Sequence, residues 1–292
     1  MDPLLSIPPD RLVLAPSDRR AAVIDIIRQA RARLSLSLFR CNDKEIFREL
    51  RAAVDRGVDV EVLVTSRAKG GRKKLRKLWQ RLEATGAVVH AYNDPVVKYH
   101  AKYVVADDGP ALVASLNFTR KCFAKTCDAV VITHDPQVVS SLRQLMSTDR
   151  DGIAAPDAMT NRVILGPERA RRQFTHLIEQ ARASILLIDA KLSDPGILAL
   201  LEERRAAGVA VHVHDAGRVG SLKSHGKIML IDGERAVIGS LALTALSLDF
   251  RREVALEIIG PAAVADIQSL FQSIGVTAPG PVPAAAAGGA SC

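Results

Sequence analysis

Two short segments of the sequence place a histidine, a lysine and an aspartate at the same spacing. The first is HAKYVVAD, residues 100–107, and the second is HGKIMLID, residues 225–232. A neutral histidine can attack phosphorus, and a protonated histidine can donate a proton to a leaving alcohol. The lysine of each segment supplies positive charge for the nonbridging oxygens of a phosphate. The two segments therefore contain the residue types with which a pair of histidines can cleave a phosphodiester, without a metal or another cofactor.

The two segments belong to a longer internal duplication. At an offset of 125 residues, Ser115 corresponds to Ser240 and Asp128 corresponds to Glu253, so that a carboxylate follows each motif histidine by 28 residues. An offset of 151 residues relates the segments that precede the motifs, so 26 additional residues interrupt the first copy between residues 64 and 98. A period this long does not fit a solenoid. It predicts two similar lobes whose motifs meet at a pseudo-twofold interface.

Hydrophobic periodicity predicts the elements that position the motifs. Segments around 43–56 and 194–207 have helical spacing, and each precedes a glycine, Gly57 or Gly208, as is typical of a helix C-terminus. An apolar run follows each motif histidine and ends at an Asp-Gly turn, which predicts a buried strand. Strands that alternate with helices predict an α/β fold, in which each lobe is a mostly buried mixed sheet flanked by helices.

The duplication also predicts the domain limits. We expect an N-terminal lobe over residues 1–150, with a basic insertion at about 67–92, and a C-terminal lobe over residues 151–276. Residues 277–292 have low complexity and predict a disordered tail. Because one chain supplies both motifs, we expect a monomer that contains an intramolecular pseudo-dimer.

The insertion carries the excess positive charge of the chain. The formal net charge is +8, and eight Lys and Arg residues without an acidic residue lie within residues 67–81. The apolar residues of this segment recur at helical spacing, with the cations on the other side. This pattern fits an ordinary surface helix, a helix on a membrane with Trp79 and the leucines toward lipid, or a helix that contacts nucleic-acid phosphates. The residues predicted to contact a membrane or a nucleic acid are Arg72, Lys73, Lys74, Arg76, Lys77 and Trp79.

The remaining composition is that of a globular protein. No apolar stretch reaches 18 residues, which predicts that no helix spans a membrane. The N-terminus lacks the basic start and the apolar core of a signal peptide. The four cysteines form no Cys-x-x-Cys pair, so reduced thiols are expected rather than a metal site. These features predict a cytoplasmic protein, which can also bind peripherally to the inner face of the membrane.

The paired motifs, each followed by a serine element and a carboxylate, resemble the phospholipase D superfamily over residues 12–275. This family includes phospholipases, cardiolipin and phosphatidylserine synthases, and nucleases. The resemblance implies that His100 is the nucleophile, which forms a phosphohistidine, and that His225 is the general acid. It also implies that Asp128 orients His100 and that Glu253 orients His225. The residues assigned to catalysis are His100, His225, Lys102, Lys227, Asp128 and Glu253.

The resemblance also assigns the remaining motif residues. The residues expected to contact the phosphate, besides the two lysines, are Ser115, Asn117 and Ser240. The motif aspartates, Asp107 and Asp232, are expected to be structural. One position departs from the pattern, because the counterpart of Asn117 in the second copy is Ala242. Loss of one donor to a transition state costs about 10²–10³ in rate in oxyanion holes. This departure predicts weaker activity or another partner for that oxygen.

Three functions are compatible with these residues. The leading one is hydrolysis or phosphatidyl transfer on phospholipids at an anionic membrane surface, which suits an amphipathic basic helix. The second is an endonuclease or another nucleic-acid phosphodiesterase of the same superfamily, which the basic charge also suits. The third is a catalytically degenerate phosphate-binding protein, and the missing amide at Ala242 is the reason to consider it.

Overall fold

The computed structural model describes residues 10–67, 71–215, 217–258 and 260–276. The predicted tail, residues 277–292, lies outside the described residues. The described chain forms two α/β lobes, each with a central mixed sheet and helices that cover it, which confirms the predicted fold class. The lobe limits at residues 150 and 276 and the monomeric state stay predictions.

The first lobe is built on a seven-stranded sheet. Its elements are β1 (Arg11–Val13), α1 (Pro16–Gln29), β2 (Arg33–Leu38), α2 (Lys44–Asp55), β3 (Asp59–Thr65), α3 (Arg72–Glu83), β4 (Val88–Tyr92), β5 (Lys98–Tyr99), β6 (Tyr103–Ala106), β7 (Ala111–Ala114), α4 (Arg120–Lys125), β8 (Thr126–Cys127), β9 (Val130–Thr133) and α5 (Pro136–Asp151). The strand order is β1-β9-β7-β6-β2-β3-β4. Strands β2, β3 and β4 are parallel to one another, and the other pairings of this sheet are antiparallel.

The second lobe repeats this arrangement. Its elements are β10 (Val163–Gly166), α6 (Ala170–Glu179), β11 (Ser184–Asp189), α7 (Pro195–Ala206), β12 (Ala210–His214), β13 (Arg218–Val219), β14 (Leu222–Ser224), β15 (Lys227–Ile231), β16 (Arg235–Gly239), α8 (Ala245–Phe250), β17 (Arg251–Ile258) and α9 (Pro261–Gln272). The strand order is β10-β17-β16-β15-β11-β12, which matches the first six strands of the other sheet. The structure therefore contains the duplicated lobes that the repeat predicts.

Corresponding helices begin and end in the same way in both lobes. The side chains of Asp43 and Asp194 cap α2 and α7 by accepting a backbone hydrogen bond, and a guanidinium pairs with each capping carboxylate. Both helices are followed by a glycine with positive φ, 85° at Gly57 and 90° at Gly208. A residue with a Cβ adopts this conformation only with strain, which is why glycine ends these helices. The predicted helix ends are confirmed.

The insertion adds a helix and an edge strand to the first sheet. Strand β4 extends the sheet beyond β3, and α3 connects these two strands. Leu78 and Leu82 of α3 are buried, and Trp79 packs against the same hydrophobic core. Because the face of the sheet beside this edge strand is apolar, the apolar side of α3 packs against it. The prediction that Trp79 and the leucines face a membrane is therefore wrong. The cations on the exposed face are Arg72, Lys73, Lys74, Arg76 and Lys77.

Strand pairings and ion pairs join the two lobes. Strand β5 pairs with β17 of the other lobe, and β8 pairs with β14. At the junction, the Arg252 guanidinium lies 2.8 Å from Asp149 and 2.5 Å from Glu168. Removing one member of such a buried group leaves an uncompensated charge, so the network constrains how the lobes meet. These contacts fix the place where the two motifs come together.

Candidate active site

Each motif histidine follows a short strand that pairs with the opposite lobe. His100 comes directly after β5, and its backbone N–H donates to the Arg252 carbonyl of β17 at 2.9 Å. His225 comes directly after β14, and the next N–H, from Gly226, donates to the Cys127 carbonyl at 2.6 Å. A Cβ on Gly226 would lie 2.7 Å from that oxygen, so only glycine permits this approach. The backbone thus holds each histidine against the other lobe.

The histidine–carboxylate pairs cross between the lobes. Nδ1 of His100 lies 2.8 Å from Oε1 of Glu253. Nδ1 of His225 lies 3.0 Å from both carboxylate oxygens of Asp128. The prediction that each carboxylate orients the histidine of its own copy is therefore wrong.

Parallel pairing between strands of different lobes causes each histidine to contact the carboxylate of the other copy. Tyr99 pairs with Arg252 across β5 and β17, so the next residue on each strand, His100 or Glu253, becomes the neighbour of the other. In the same way, Ser224 pairs with Cys127 across β14 and β8, and His225 and Asp128 follow them. Repeat offsets relate one copy to the other, but they carry no information about which strands pair between the copies.

Both carboxylates are fully buried and charged. Burial opposes ionisation of Asp128, but its hydrogen bond with His225 and the charges of His225 and Lys227 outweigh burial and lower its pKa. Burial also opposes ionisation of Glu253, but its contact with His100 and then the charge of Lys102 lower its pKa. A carboxylate at Nδ1 favours the tautomer with a proton on that nitrogen, which leaves Nε2 free to react.

The serines of the two copies, Ser115 and Ser240, form hydrogen bonds in the protein interior. The Ser115 hydroxyl donates to Oδ1 of Asp128 at 2.7 Å, and Thr126 donates to Oδ2 at 2.5 Å. Ser240 donates to the Val254 carbonyl at 3.3 Å. Both serines are 1% exposed. This geometry corrects the prediction that they contact phosphate, because their hydroxyls are buried and already engaged with the protein.

The motif lysines extend beside the histidines. Each Nζ donates to the backbone carbonyl of its own motif histidine, with a distance of 2.5 Å for Lys227 and His225. Both lysines are buried, and neither has an ion-pair partner among the described residues. Burial lowers the pKa of Lys102 to about 7, although the charge of Glu253 opposes this effect. The two ammonium groups are therefore available to an anionic ligand.

His100 has surroundings that keep its ring neutral. Burial and then the charge of Lys102 lower its pKa to about 3. The ring of Phe39 contacts it edge-on, with 4.8 Å between ring centroids. Sequence reasoning missed Phe39, because its counterpart in the second copy is Ala190 and the duplication gave no signal there. It also missed Arg251, which lies 3.7 Å from Glu253 and could have been found as the residue two positions earlier on the same strand.

The motif aspartates hold turns rather than face the histidines. Both have positive φ, 46° at Asp107 and 54° at Asp232. Each carboxylate accepts hydrogen bonds from three consecutive backbone N–H groups at the start of β2 or β11. The donors are Arg31, Ala32 and Arg33 in the first lobe, and Arg182, Ala183 and Ser184 in the second. These bonds anchor the far end of each motif strand.

The lobes differ at the position of the amide. The Asn117 side chain is partly exposed, and its Oδ1 has no hydrogen-bond partner within the described ranges. Ala242 stands at the equivalent position and is buried.

Across the described residues, no three side chains of the types His, Cys, Asp and Glu come together as a metal site would require. Within the same ranges, no helix is both long and apolar enough to cross a membrane.

Solved structures share this architecture. A polyphosphate kinase from Porphyromonas gingivalis superposes with a TM-score of 0.76 and 21% identity, over 90% of this chain and 46% of that one. A phosphatidylserine synthase from Haemophilus influenzae Rd KW20 superposes with a TM-score of 0.65 and 12% identity, over 92% of this chain and 87% of that one. At these identities the likeness shows the fold alone.

Sequence comparison identifies the family. Cardiolipin synthase A of Pseudomonas entomophila (strain L48) is 30% identical over 109 residues, which are 37% of this chain and 23% of that protein. The chain thus matches less than a quarter of the length of this curated relative. A family model described as cardiolipin synthase, PLD-like domain, matches residues 23–150 and 177–274, which include both motifs. Because this match extends over well more than half of the chain, the protein belongs to the phospholipase D superfamily.

Proposed function

We propose that this protein cleaves phosphodiesters through a covalent phosphohistidine, with His100 as nucleophile, His225 as general acid and a phospholipid as substrate. The observation that carries the proposal is the pair of crossed contacts between a histidine and a buried carboxylate, with one buried lysine beside each histidine. In this proposal, a single phosphate lies between the two histidines at the junction of the lobes.

In the first step, Nε2 of neutral His100 attacks phosphorus. A P–N bond forms, the P–O bond to the leaving alcohol breaks, and protonated His225 donates its proton to the leaving oxygen. In the second step, neutral His225 takes a proton from water or from an acceptor alcohol, which attacks phosphorus and breaks the P–N bond. Water gives hydrolysis and an alcohol gives transfer. The ammonium groups of Lys102 and Lys227 stabilise charge on the nonbridging oxygens.

The surroundings of the histidines support this order of roles. The lowered pKa of His100 keeps its ring neutral at neutral pH, which a nucleophile requires. His225 is more exposed, 31% against 19% for the side chains, and it faces a carboxylate that two hydroxyls hold in place. A fixed carboxylate stabilises an imidazolium, so His225 suits the general acid.

A phospholipid is the first candidate substrate because the matching family model and the curated relative both name cardiolipin synthase. A nucleic acid is the second candidate, and helix α3 favours it. The exposed face of α3 carries cations while its apolar face packs on the core, so the helix offers charge rather than a hydrophobic anchor. Strands β2 and β3 are parallel, so α3, which follows β3, begins near the end of the sheet where Phe39 follows β2. Phe39 in turn contacts His100.

Turnover in EDTA tests the function and separates the substrates. The assay compares wild type, His100→Ala and His134→Ala, an exposed histidine outside the site, on phosphatidylglycerol vesicles, phosphatidylcholine vesicles, and single- and double-stranded DNA. Lipid cleavage lost only in His100→Ala supports the proposal. DNA cleavage alone, lost in the same variant, replaces the substrate and keeps the mechanism. Equal activity of wild type and His100→Ala contradicts the mechanism, and no turnover of any substrate favours the phosphate-binding protein.

A further inference from the structure

A loop of the second lobe is fixed directly beside the position that lacks the amide. This loop, residues 190–194, connects β11 to α7. The backbone N–H groups of Ser193 and Asp194 donate to the Leu243 carbonyl at 3.0 and 3.1 Å, and Oδ2 of Asp189 accepts from the Leu243 N–H at 2.7 Å. Leu243 directly follows Ala242, so the loop is held against the residue that replaces asparagine.

The corresponding loop of the first lobe makes the same backbone contact but uses its cation differently. There the Asn42 N–H donates to the Phe118 carbonyl at 3.2 Å. The cation of this loop, Arg40, lies over the Phe39 ring, 5.1 Å from its centroid. The duplication aligns Arg40 with Lys191, and Phe39 with an alanine. In the second lobe, Lys191 therefore takes the place of Arg40, but the preceding residue is an alanine rather than an aromatic residue.

Two cations lie near Lys191 in the folded protein. Asp189, two residues earlier, pairs with Lys227 in the sheet, which brings the loop beside the second motif lysine. The Lys191 side chain is exposed, but its partial desolvation and then the charges of Lys227 and Arg251 lower its pKa. The charges of Glu253 and Asp189 oppose this effect without outweighing it. No ion pair of Lys191 occurs in the described part of the chain, and the nearby Asp189 carboxylate accepts from backbone N–H groups of Lys191 and Leu243. An anion bound here would relieve this repulsion.

We propose that Lys191 binds the nonbridging oxygen of the reacting phosphodiester that an asparagine at position 242 would otherwise hold. The second lobe thus replaces a neutral amide on one strand by an ammonium group on the adjacent loop. The inference rests on the proposed function for its role in turnover. Binding of phosphate to this place can be measured without turnover. The substitution also explains how the site can tolerate Ala242, since both halves of the pocket keep a donor to the phosphate.

The test combines Lys191→Gln with a restored amide. We expect Lys191→Gln to raise the Kd for inorganic phosphate, measured by calorimetry, about tenfold, the size of one lost charged hydrogen bond. For bis(4-nitrophenyl) phosphate, kcat/KM is expected to fall about 10²-fold. Lys44→Gln, an exposed lysine on α2, controls for loss of one surface charge and is expected to change either value less than about twofold. Adding Ala242→Asn to Lys191→Gln is expected to restore most of both losses.

Two results would overturn the assignment. One is a phosphate Kd for Lys191→Gln that equals the value for Lys44→Gln. The other is a double variant that melts like wild type yet regains neither phosphate affinity nor turnover. If Ala242→Asn does not fold, Lys191→Arg decides, because it keeps the charge and must bind phosphate much more tightly than Lys191→Gln. A wild type that binds phosphate through Lys191 but never turns over an ester would contradict the proposed function while leaving the Lys191 site in place.

Discussion

The two lobes share one strand order, yet they surround their histidines differently. His100 contacts an aromatic ring and a glutamate, and burial lowers its pKa to about 3. His225 is more exposed and contacts an aspartate that Ser115 and Thr126 hold through hydrogen bonds. In the proposed mechanism, these different surroundings separate a nucleophile from an acid. The difference lies in the neighbours of the motifs, because the motif residues themselves are the same.

The largest effect is expected from removal of the nucleophile. His100→Ala is expected to lower kcat about 10⁴-fold or more, whatever the leaving group, because the covalent step is lost. The loss is measured as kcat on two phosphodiesters that differ only in the leaving group, one a 4-nitrophenyl ester and the other an alkyl ester. His134→Ala serves as the control. A loss that is much smaller for one leaving group would mean that His100 is the acid and would reverse the comparison between the lobes.

Removal of the general acid is expected to depend on the leaving group. His225→Ala is expected to cost about 10²–10⁴ on the alkyl ester, the usual range for acid catalysis, and at least about tenfold less on the 4-nitrophenyl ester. Nitrophenolate leaves without a proton, so it needs the acid less. The same two substrates and their kcat values test this prediction. Equal losses on both substrates would show that the two histidines do not divide the roles in this way.

The crossed carboxylates make a sharper prediction. Asp128→Asn is expected to cost about 10²-fold and to show the leaving-group dependence of His225→Ala, because these two residues are in contact. Glu253→Gln is expected to resemble His100→Ala, with a similar loss on both esters. If Asp128→Asn instead followed the pattern of His100→Ala, each carboxylate would serve its own lobe in solution, against the geometry of the junction strands.

The smallest effect is a pH dependence from Lys102. Burial lowers its pKa to about 7, so its positive charge is present below that pH and is lost as the pH rises through it. We therefore expect kcat/KM, which reports the free enzyme, to decline above about pH 7. Lys102→Arg retains its charge and is expected to move this decline to higher pH. A profile of Lys102→Arg with the same alkaline limb as wild type would assign the limb to another group.

The sequence predicted the parts of the fold that repeat. The motif strands, the glycines that end α2 and α7, and the two matching sheets all follow from periodicity and from the two offsets. Both copies carry these signals, so each copy supports the interpretation of the other. The same comparison predicted that Asn117 lacks a counterpart in the second lobe.

The parts that could not be predicted lie where the copies touch or differ. The crossing of Asp128 and Glu253 depends on pairing between short strands of different lobes, and no periodic pattern records that register. The amphipathic pattern of α3 is the same for a helix on a membrane and a helix on a sheet, so only the fold places Trp79 against the core. Phe39 has no equivalent in the second copy, and so the duplication gave no reason to select it.

The most direct test of the central claim is to trap the covalent intermediate. Wild-type enzyme is mixed with a substrate that it cleaves and quenched at alkaline pH, where a phosphohistidine survives, and the modified peptide is identified by mass spectrometry. The division of roles between the lobes predicts a phosphoryl group on His100, which persists in His225→Ala with the 4-nitrophenyl ester and is absent from His100→Ala. A phosphoryl group on His225, or rapid turnover with no adduct on either histidine, would contradict it.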